Sequence, residues 1–273
     1  MTEFQKYTKK RESSARIKGL DIPTFTNPQE KRTWMLQHMA GMLRIFGRKG
    51  YSEGVAGHVT IVDPVDPTCY WINPLGVHFS MMKASDLVLV NGEGKAIGGS
   101  RALFNESGFK IHSEMHKARP DIKAICHTHS FYARTYSIFG KELEMLSQDS
   151  CLIFDKQVAL AQYDGVGLDE FEGRKIASAL GERMGIILQN HGVMTVGKTV
   201  DEAAYLHVLL ENMCKAQLLA DAVSGSTRMA KQVISNKIAK SAYDTISSPE
   251  QLYSSMQPEF ELEIYLSNGE FLD

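Results

Sequence analysis

Three histidines are the residues of this sequence whose types and spacing could support catalysis. His127 and His129 form a His-x-His pair, and His191 lies further along the chain between Asn190 and Gly192. Side chains two apart in a strand leave from the same face, so both imidazoles of the pair can approach one point. A third imidazole would complete the three-histidine set of an open, catalytic divalent-metal site, with a position left for water or substrate. Sequence spacing alone leaves open whether His191 reaches the pair.

Two predicted elements position these histidines: a strand that contains the pair, and a tight turn at His191. Residues 122–129 are predicted to form the first strand. The apolar residues 185–190 predict a buried strand that continues over residues 193–197 beyond the turn. A helix is predicted over residues 107–118, and it ends there because the residue before Pro120 disfavours helical backbone.

Caps, turns and periodicity predict the remaining elements. An asparagine cap followed by proline predicts a helix that begins after Asn27 and ends near residues 47–50. Thr199 and Glu202 form a predicted capping box that opens a long helix to about Ser224. Strands mixed with flanking helices indicate a layered α/β/α architecture. Further strands are predicted over residues 56–63, 68–73, 86–91, 151–155 and 157–162, and a further helix over residues 169–183.

Composition excludes several classes of function. The 273 residues are 43% hydrophobic and 23% charged, which suits a globular protein with a sizeable core. A net charge of −2 argues against a nucleic-acid partner. Four scattered cysteines indicate no disulfide framework, and no run of residues is apolar enough to predict a membrane span. We therefore expect a cytoplasmic protein with an N-terminal arm over residues 1–26, one domain over residues 27–226 and a C-terminal helical extension or tail over residues 227–273.

Several short motifs together resemble the class II aldolase/adducin family. They are Arg119-Pro120-Asp121 before the His-x-His pair, Gln189-Asn190-His191-Gly192, the glycine-bearing residues 53–60 and the Asn73-Pro74-Leu75-Gly76 turn. The resemblance covers residues 30–225. It implies a three-layer α/β/α fold with a central mixed, mainly antiparallel sheet, and a divalent metal ion on His127, His129 and His191. It also implies zinc as the ion, with manganese as the alternative, a small-molecule substrate, and a homotetramer with its sites between subunits.

The sequence departs from the sugar-phosphate aldolases of that family at the catalytic base. Those enzymes carry a glutamate nineteen residues before the first histidine of the pair, where this chain has Gly108. Glycine cannot remove a proton from carbon, so ordinary class II aldol cleavage is in doubt. Glycine also stands at this position in the adducin branch. The phosphate site is altered as well, because a serine pair is replaced by Glu106 and Ser107, and a threonine by Leu75. The ligand is therefore expected not to be a phosphate ester.

His58 stands where the family often has an asparagine that contacts a substrate oxygen. A histidine here is similar to the decarboxylase-type members, and it could donate to an oxygen of the bound ligand. Alternatively, it forms a structural hydrogen bond in the glycine loop. The candidate catalytic residues are His58 and Glu106. The candidate substrate-binding residues are Gly57, Gly76, Ser107 and Gly108.

Two further histidines lie on the helix predicted over residues 107–118. His112 and His116 are four apart, with Glu114 between them. The order does not match the H-E-x-x-H motif of zinc proteases. We expect an amphipathic helix in which His112 is buried and Glu114 faces solvent.

Three functions remain open at this point. The first is a metal-dependent carbon–carbon lyase, of decarboxylase or aldolase type, acting on a small non-phosphorylated hydroxy or oxo substrate. Decarboxylation suits Gly108 better, because loss of CO₂ needs no proton abstraction from carbon. The second is an adducin-like binding or scaffold domain without catalysis, which three retained histidines argue against. The third is sugar epimerisation, which the altered phosphate site disfavours.

Overall fold

The structure is a computed structural model that describes residues 21–163, 165, 170–227 and 229–273. Most of the predicted N-terminal arm, over residues 1–20, lies outside the described residues. Residue 169, the predicted start of one helix, also lies outside them. None of the helices in the described ranges is both long and apolar enough to cross a lipid bilayer.

An eight-stranded sheet forms the centre of the molecule, in the order β4-β3-β2-β1-β5-β8-β7-β6. Neighbouring strands are antiparallel except for the β6–β7 pair, which is parallel. This confirms the mixed, mainly antiparallel sheet. The strands are β1 His58–Val62, β2 Cys69–Ile72, β3 Val88–Asn91, β4 Ala96–Gly99, β5 Ala124–Thr128, β6 Gln157–Leu160, β7 Gly185–Leu188 and β8 Gly192–Gly197.

Helices cover both faces of the sheet, so the three-layer α/β/α prediction is confirmed. One apolar cluster joins α2 and α4 to the sheet through residues such as Ile111, Ile125 and Ile176. A second cluster joins α1, α5 and α7 to the opposite face through residues such as Val59 and Cys126. The helices are α1 Pro28–Arg48, α2 Glu106–Ala118, α3 Phe131–Ser137, α4 Glu170–Leu180, α5 Val200–Ser226, α6 Asn236–Ile246 and α7 Pro249–Ser267.

The predicted caps form with one change of partner. The Asn27 side chain accepts a hydrogen bond from the Gln29 N–H at 2.9 Å, which fixes the start of α1. Thr199 likewise caps α5 by accepting from the Glu202 N–H at 3.1 Å. The Glu202 carboxylate accepts from the Lys198 N–H rather than from the N–H of Thr199. The capping box predicted at this helix is therefore only half formed.

Some segments differ from the sequence predictions. Residues 151–153, expected to begin a strand over residues 151–155, lie instead in the 3₁₀ helix Asp149–Ile153 and are buried there without strand pairing. The edge strand β4 was not predicted, because its Ala-Ile-Gly-Gly sequence lacks alternation. The C-terminal region contains two helices, and Phe271 near its end is fully buried in the core.

Candidate metal centre

The three predicted histidines converge at one end of the sheet. His127 lies on β5, His129 follows the end of that strand, and His191 lies in the turn between β7 and β8. One nitrogen from each imidazole can be chosen so that all three lie within 4.8 Å of one another. The ring centroids are 4.9–5.0 Å apart. β5 pairs with β8, so the turn that carries His191 meets the end of β5.

The turn that presents His191 depends on residues suited to unusual backbone geometry. Asn190 has a φ of 57°, in the left-handed region that asparagine tolerates better than most residues. The His191 N–H donates to the Leu188 carbonyl at 3.1 Å and closes the turn. At Gly192, a Cβ would lie 2.7 Å from the Thr128 carbonyl oxygen, so only glycine lets β8 approach β5 here.

Hydrogen bonding and burial prepare the imidazoles to act as ligands. The Nδ1–H of His127 donates to the Val193 carbonyl at 2.9 Å, since that carbonyl can only accept, and Nε2 is left with its lone pair. Burial holds the pKa of His127 well below its usual range and lowers the pKa of His191 to about 4. Burial also lowers the pKa of His129. Neutral imidazoles are the form that binds metal, so this donor set could hold a divalent ion.

His58 lies beside the triad on the same face of the sheet. It is directly opposite His127 in the β1–β5 pairing, and the two ring centroids are 5.1 Å apart. Neither of its ring nitrogens makes a hydrogen bond of normal geometry with another described residue, but the backbone of Gly108 lies close enough to interact with the ring. Burial, followed by the nearby His191 and His129, lowers the pKa of His58 to about 3.

Gly108 creates the space that His58 occupies. A Cβ at position 108 would lie 2.3 Å from the Nε2 atom of His58. Gly108 is held at the start of α2, where its N–H donates to the Asn105 side chain at 2.9 Å. The imidazole of His58 therefore fills the volume into which a glutamate at position 108 would project.

A cavity of about 380 Å³ opens over these residues, a size within the range of small-molecule sites. All three histidines of the triad line it, together with His58. Of the other candidate residues, Gly57, Ser107 and Gly108 line it too. Glu106 is exposed and is not among the lining residues. The placement of Glu106 gives no support to a catalytic role.

Gly76 lies in a separate, much smaller pocket between the glycine loop and the turn at Asn73. The volume of this pocket is about 10 Å³, which is room for about one water molecule. Leu75 lines the pocket in place of the family's threonine.

Sequence reasoning missed much of the cavity wall. Arg134 and Glu172 line the cavity, but neither belongs to a motif that would have identified it. The Arg134 guanidinium also donates to the Glu53 carboxylate at 2.8 Å. The apolar part of the lining comes from side chains on helices and strands that are far apart in sequence: Ile111, Leu160, Ile176, Leu188 and Met194.

The helix prediction was wrong at Glu114. His112 is fully buried as expected, but Glu114 is only 8% exposed. Its carboxylate accepts from Lys117 at 2.7 Å and from Arg174 at 3.2 Å. Helix α4 packs closely against α2 at this point, as the near contact of Gly173 with the Glu114 Cβ shows, and it covers a face that would otherwise be exposed.

The segment after His129 is anchored by one buried carboxylate. Glu211 on α5 accepts hydrogen bonds from the Ser130 hydroxyl at 2.7 Å and from the N–H groups of Tyr132 and Ala133 at 2.9 and 2.7 Å. These N–H groups belong to the first turn of α3, which an acidic group stabilises. Glu211 thus fixes the backbone immediately after a triad histidine.

Comparison with known proteins now identifies the family. Residues 37–218 match the family described as "Class II Aldolase and Adducin N-terminal domain". The chain belongs to this family. The resemblance carried by the short motifs is therefore confirmed over most of the range in which it was found.

Relatives in this family carry several different names. The chain is 46% identical to the Meiotically up-regulated gene 14 protein of Schizosaccharomyces pombe, over 94% of this chain and 98% of that protein. It is 39% identical to a 4-hydroxy-3-prenylphenylpyruvate oxygenase/4-hydroxy-3-prenylbenzoate synthase of Streptomyces roseochromogenus, over 77% and 76% of the two chains. It is 38% identical to the Decarboxylase NovR of Streptomyces niveus, over 77% and 78%.

A solved structure shares both fold and sequence with this chain. It is the L-fuculose 1-phosphate aldolase from Glaciozyma antarctica, with a TM-score of 0.84 and 36% sequence identity. The match covers 92% of this chain and 97% of that one. The similarity therefore includes regions outside residues 37–218.

Proposed function

We propose that this protein is a metal-dependent carbon–carbon lyase, of decarboxylase or aldolase type, acting on a small non-phosphorylated hydroxy or oxo substrate. The observation that carries the proposal is the convergence of His127, His129 and His191 on one cavity. Zinc is the proposed ion, with manganese as the alternative, because a three-imidazole set with an open position suits zinc.

The triad fits such an ion by the chemistry of its donors. The imidazoles are kept neutral by burial, and the Val193 carbonyl fixes the tautomer of His127. When bound, a divalent ion would supply Lewis-acid polarisation of a substrate carbonyl and would stabilise negative charge developing next to it.

The residues around the triad favour decarboxylation over aldol cleavage. At Gly108 there is no carboxylate to remove a proton from carbon, and the space is filled by neutral His58. In decarboxylation of a 3-oxo acid, the bond between C2 and the carboxylate carbon breaks and CO₂ leaves. The electron pair stays on the remaining fragment as an enolate. A proton from His58 or from water then replaces the lost group.

The pockets support a substrate with an apolar part and no phosphate. The small pocket at Gly76 is lined by Leu75 rather than by a hydroxyl donor, and the lining of the main cavity includes the apolar side chains Ile176 and Met194. Relatives named as a decarboxylase and as a prenylated phenylpyruvate oxygenase/synthase support an aromatic oxo or hydroxy acid as the first substrate class to examine.

The test is turnover by the purified protein loaded with zinc, manganese or iron(II). The substrates would be 2-oxo, 3-oxo and 2-hydroxy acids with aliphatic and aromatic side chains. CO₂ release and product mass would be measured both with and without O₂. We expect CO₂ or aldehyde release that is lost in His191→Ala and persists without O₂. Activity that requires O₂ would instead indicate an oxygenase.

Two outcomes would overturn the lyase proposal. Absence of turnover together with no bound metal, and no change in metal affinity in His191→Ala, would favour the adducin-like scaffold. Conversion of a sugar phosphate into its epimer, with no net cleavage, would favour the epimerase.

We further propose a homotetramer with its sites between subunits, as the family resemblance implies. Several large apolar side chains are exposed, among them Val55 at the cavity, Leu103 and Phe131. Light scattering after size-exclusion chromatography would show a mass of four chains. A mass of one chain would contradict this proposal and leave the lyase chemistry to be tested separately.

A further inference from the structure

A buried chain of hydrogen bonds lies behind His58, between β1 and α2. The hydroxyl of Thr60 is 2.9 Å from Nδ1 of His112 and 3.0 Å from Nε2 of His116. Nδ1 of His116 is 3.3 Å from the Ile122 carbonyl oxygen. All three side chains are buried. None of the three triad histidines takes part in this series of hydrogen bonds.

The carbonyl at the end of the chain sets the direction of every hydrogen bond. A carbonyl can only accept, so Nδ1 of His116 carries a proton. Burial lowers the pKa of His116 to about 3, so the ring is neutral and its Nε2 must accept. The single hydroxyl proton of Thr60 is therefore donated to His116. The Thr60 oxygen in turn accepts from Nδ1–H of His112.

This direction leaves Nε2 of His112 without a proton. Burial also holds the pKa of His112 well below its usual range, so that ring is neutral too. In the described part of the chain, Nε2 of His112 has no partner, as is true of both nitrogens of His58. A buried acceptor without a donor is costly, and such groups are rare in folded proteins.

His58 is the group placed to supply the missing donor. Its ring centroid is 4.3 Å from that of His112. Its Nε2 edge faces α2 at Gly108, one turn before His112 on the same face of the helix. Neither Nε2 has a partner among the described residues, so a bond between the two atoms requires the two rings to turn from their present tilt of 37°.

We propose that the Thr60–His112–His116 chain holds His58 in the tautomer with its proton on Nε2, so that Nδ1 is a bare acceptor. Thr60, His112 and His116 are then positioning residues for His58. Any ligand group or water that hydrogen-bonds to Nδ1 of His58 must be a donor, such as a hydroxyl. An anionic oxygen is disfavoured there.

The consequence for catalysis rests on the proposed function. If the protein is a decarboxylase, the N–H of His58 donates to His112, and the proton that replaces CO₂ comes from water. Nδ1 of His58 is buried in this structure, so it would accept a hydrogen bond from that water, or from a substrate hydroxyl, only after the ring turns toward the cavity. The tautomers themselves do not depend on any activity.

The test is nitrogen NMR of ¹⁵N-histidine-labelled, metal-free protein at neutral pH, without substrate. Protonated and bare imidazole nitrogens give separate signals, which are assigned by the loss of signals in single His→Gln variants. We expect His112 and His116 each to be protonated on Nδ1, and His58 on Nε2. Thr60→Val removes the hydroxyl link and should release both His112 and His58 into mixed tautomers. Thr60→Ser should restore the single tautomers.

A second buried threonine provides a matched control. The Thr195 hydroxyl donates to the Ala203 carbonyl at 2.7 Å, and its oxygen lies 3.3 Å from Nδ1 of His207. Thr195→Val should alter the signals of His207 and leave those of His58 unchanged. It removes a buried hydroxyl of the same kind, so a general effect of destabilisation would appear in both variants.

Three results would overturn the proposal. They are a proton on Nδ1 of His58 in the wild type, a mixture of His58 tautomers in the wild type, and an unchanged single tautomer in folded Thr60→Val. If Thr60→Val does not fold, the wild-type spectrum alone decides. Because the measurement uses neither metal nor substrate, its failure is distinct from failure of the lyase proposal.

Discussion

The imidazole of His58 occupies the space of the side chain that Gly108 lacks. Nε2 of His58 lies where a Cβ at position 108 would be only 2.3 Å away. The two positions are therefore coupled: a glutamate at 108 and the present placement of His58 cannot coexist. The glycine at position 108, where the family's aldolases have their base, is therefore structurally linked to the histidine at position 58 on β1.

This coupling predicts a non-additive pair of substitutions. Gly108→Ala should lower the free energy of unfolding by about 1–3 kcal/mol, because the new methyl group displaces a buried ring. In a His58→Ala background the same change should cost much less, with an interaction energy of about 0.5–3 kcal/mol. Urea unfolding of the two single variants and the double variant measures both values.

Gly225 provides the control for helix propensity. It also lies in a helix, but a Cβ there would have no neighbour within 4 Å. Gly225→Ala should be neutral or stabilising by up to about 1 kcal/mol. Equal costs for Gly108→Ala with and without His58 would contradict the coupling.

Metal binding should depend on all three triad histidines. Removing one of three protein ligands by His191→Ala should weaken zinc affinity by at least about 100-fold, measured by competition with a chromophoric chelator. The matched control is His78→Ala, since His78 is exposed and does not line the cavity. Equal affinity in the two variants would show that His191 is not a ligand.

Glu211 should support metal binding from a distance. Glu211→Ala leaves three donors near His129 without their acceptor. We expect lower stability and about 10–100-fold weaker zinc affinity, the range typical when a group that orients a ligand is lost. Calorimetric titration with zinc measures the affinity, and urea unfolding measures the stability.

A second buried glutamate, Glu263, provides the control that separates the effect on stability from the effect on zinc affinity. Glu263 on α7 accepts from Arg44 at 2.7 Å and from Arg48 at 3.3 Å, and its side chain is only 6% exposed. Glu263→Ala should destabilise the fold without changing zinc affinity. If both variants bind zinc as the wild type does, Glu211 has a purely structural role.

Buried neutral histidines should make the metal-free protein sensitive to acid. Burial lowers the pKa of His116 and of His207 to about 3, whereas an unfolded histidine titrates near 6.5. Between these values the unfolded chain binds more protons, so stability falls as the pH drops below about 6.5. Each such residue should contribute a slope of about 1.4 kcal/mol per pH unit. Urea unfolding between pH 7 and pH 5 measures the slope.

Replacing His116 isolates its share of this slope. His116→Asn should reduce the dependence of unfolding free energy on pH by about 1.4 kcal/mol per unit, because one fewer proton is taken up on unfolding. A slope identical to that of the wild type would show that His116 is not neutral in the folded state.

The sequence by itself determined the features that depend on neighbouring residues. Strand alternation placed His127 and His129 on one face, and the asparagine and proline at residues 27 and 28 marked the start of α1. Such features follow from local backbone geometry and side-chain chemistry, so a short stretch of sequence is enough to predict them.

Only the tertiary structure decided which distant residues meet. His191 meets His127 and His129 because β8 pairs with β5. His58 lies beside them because β1 pairs with the other edge of β5. The burial of Glu114 beneath α4 and the bonds from Thr60 to two histidines depend on helix packing. Strand register and helix packing are set by the burial of the whole core, which no single stretch of residues determines.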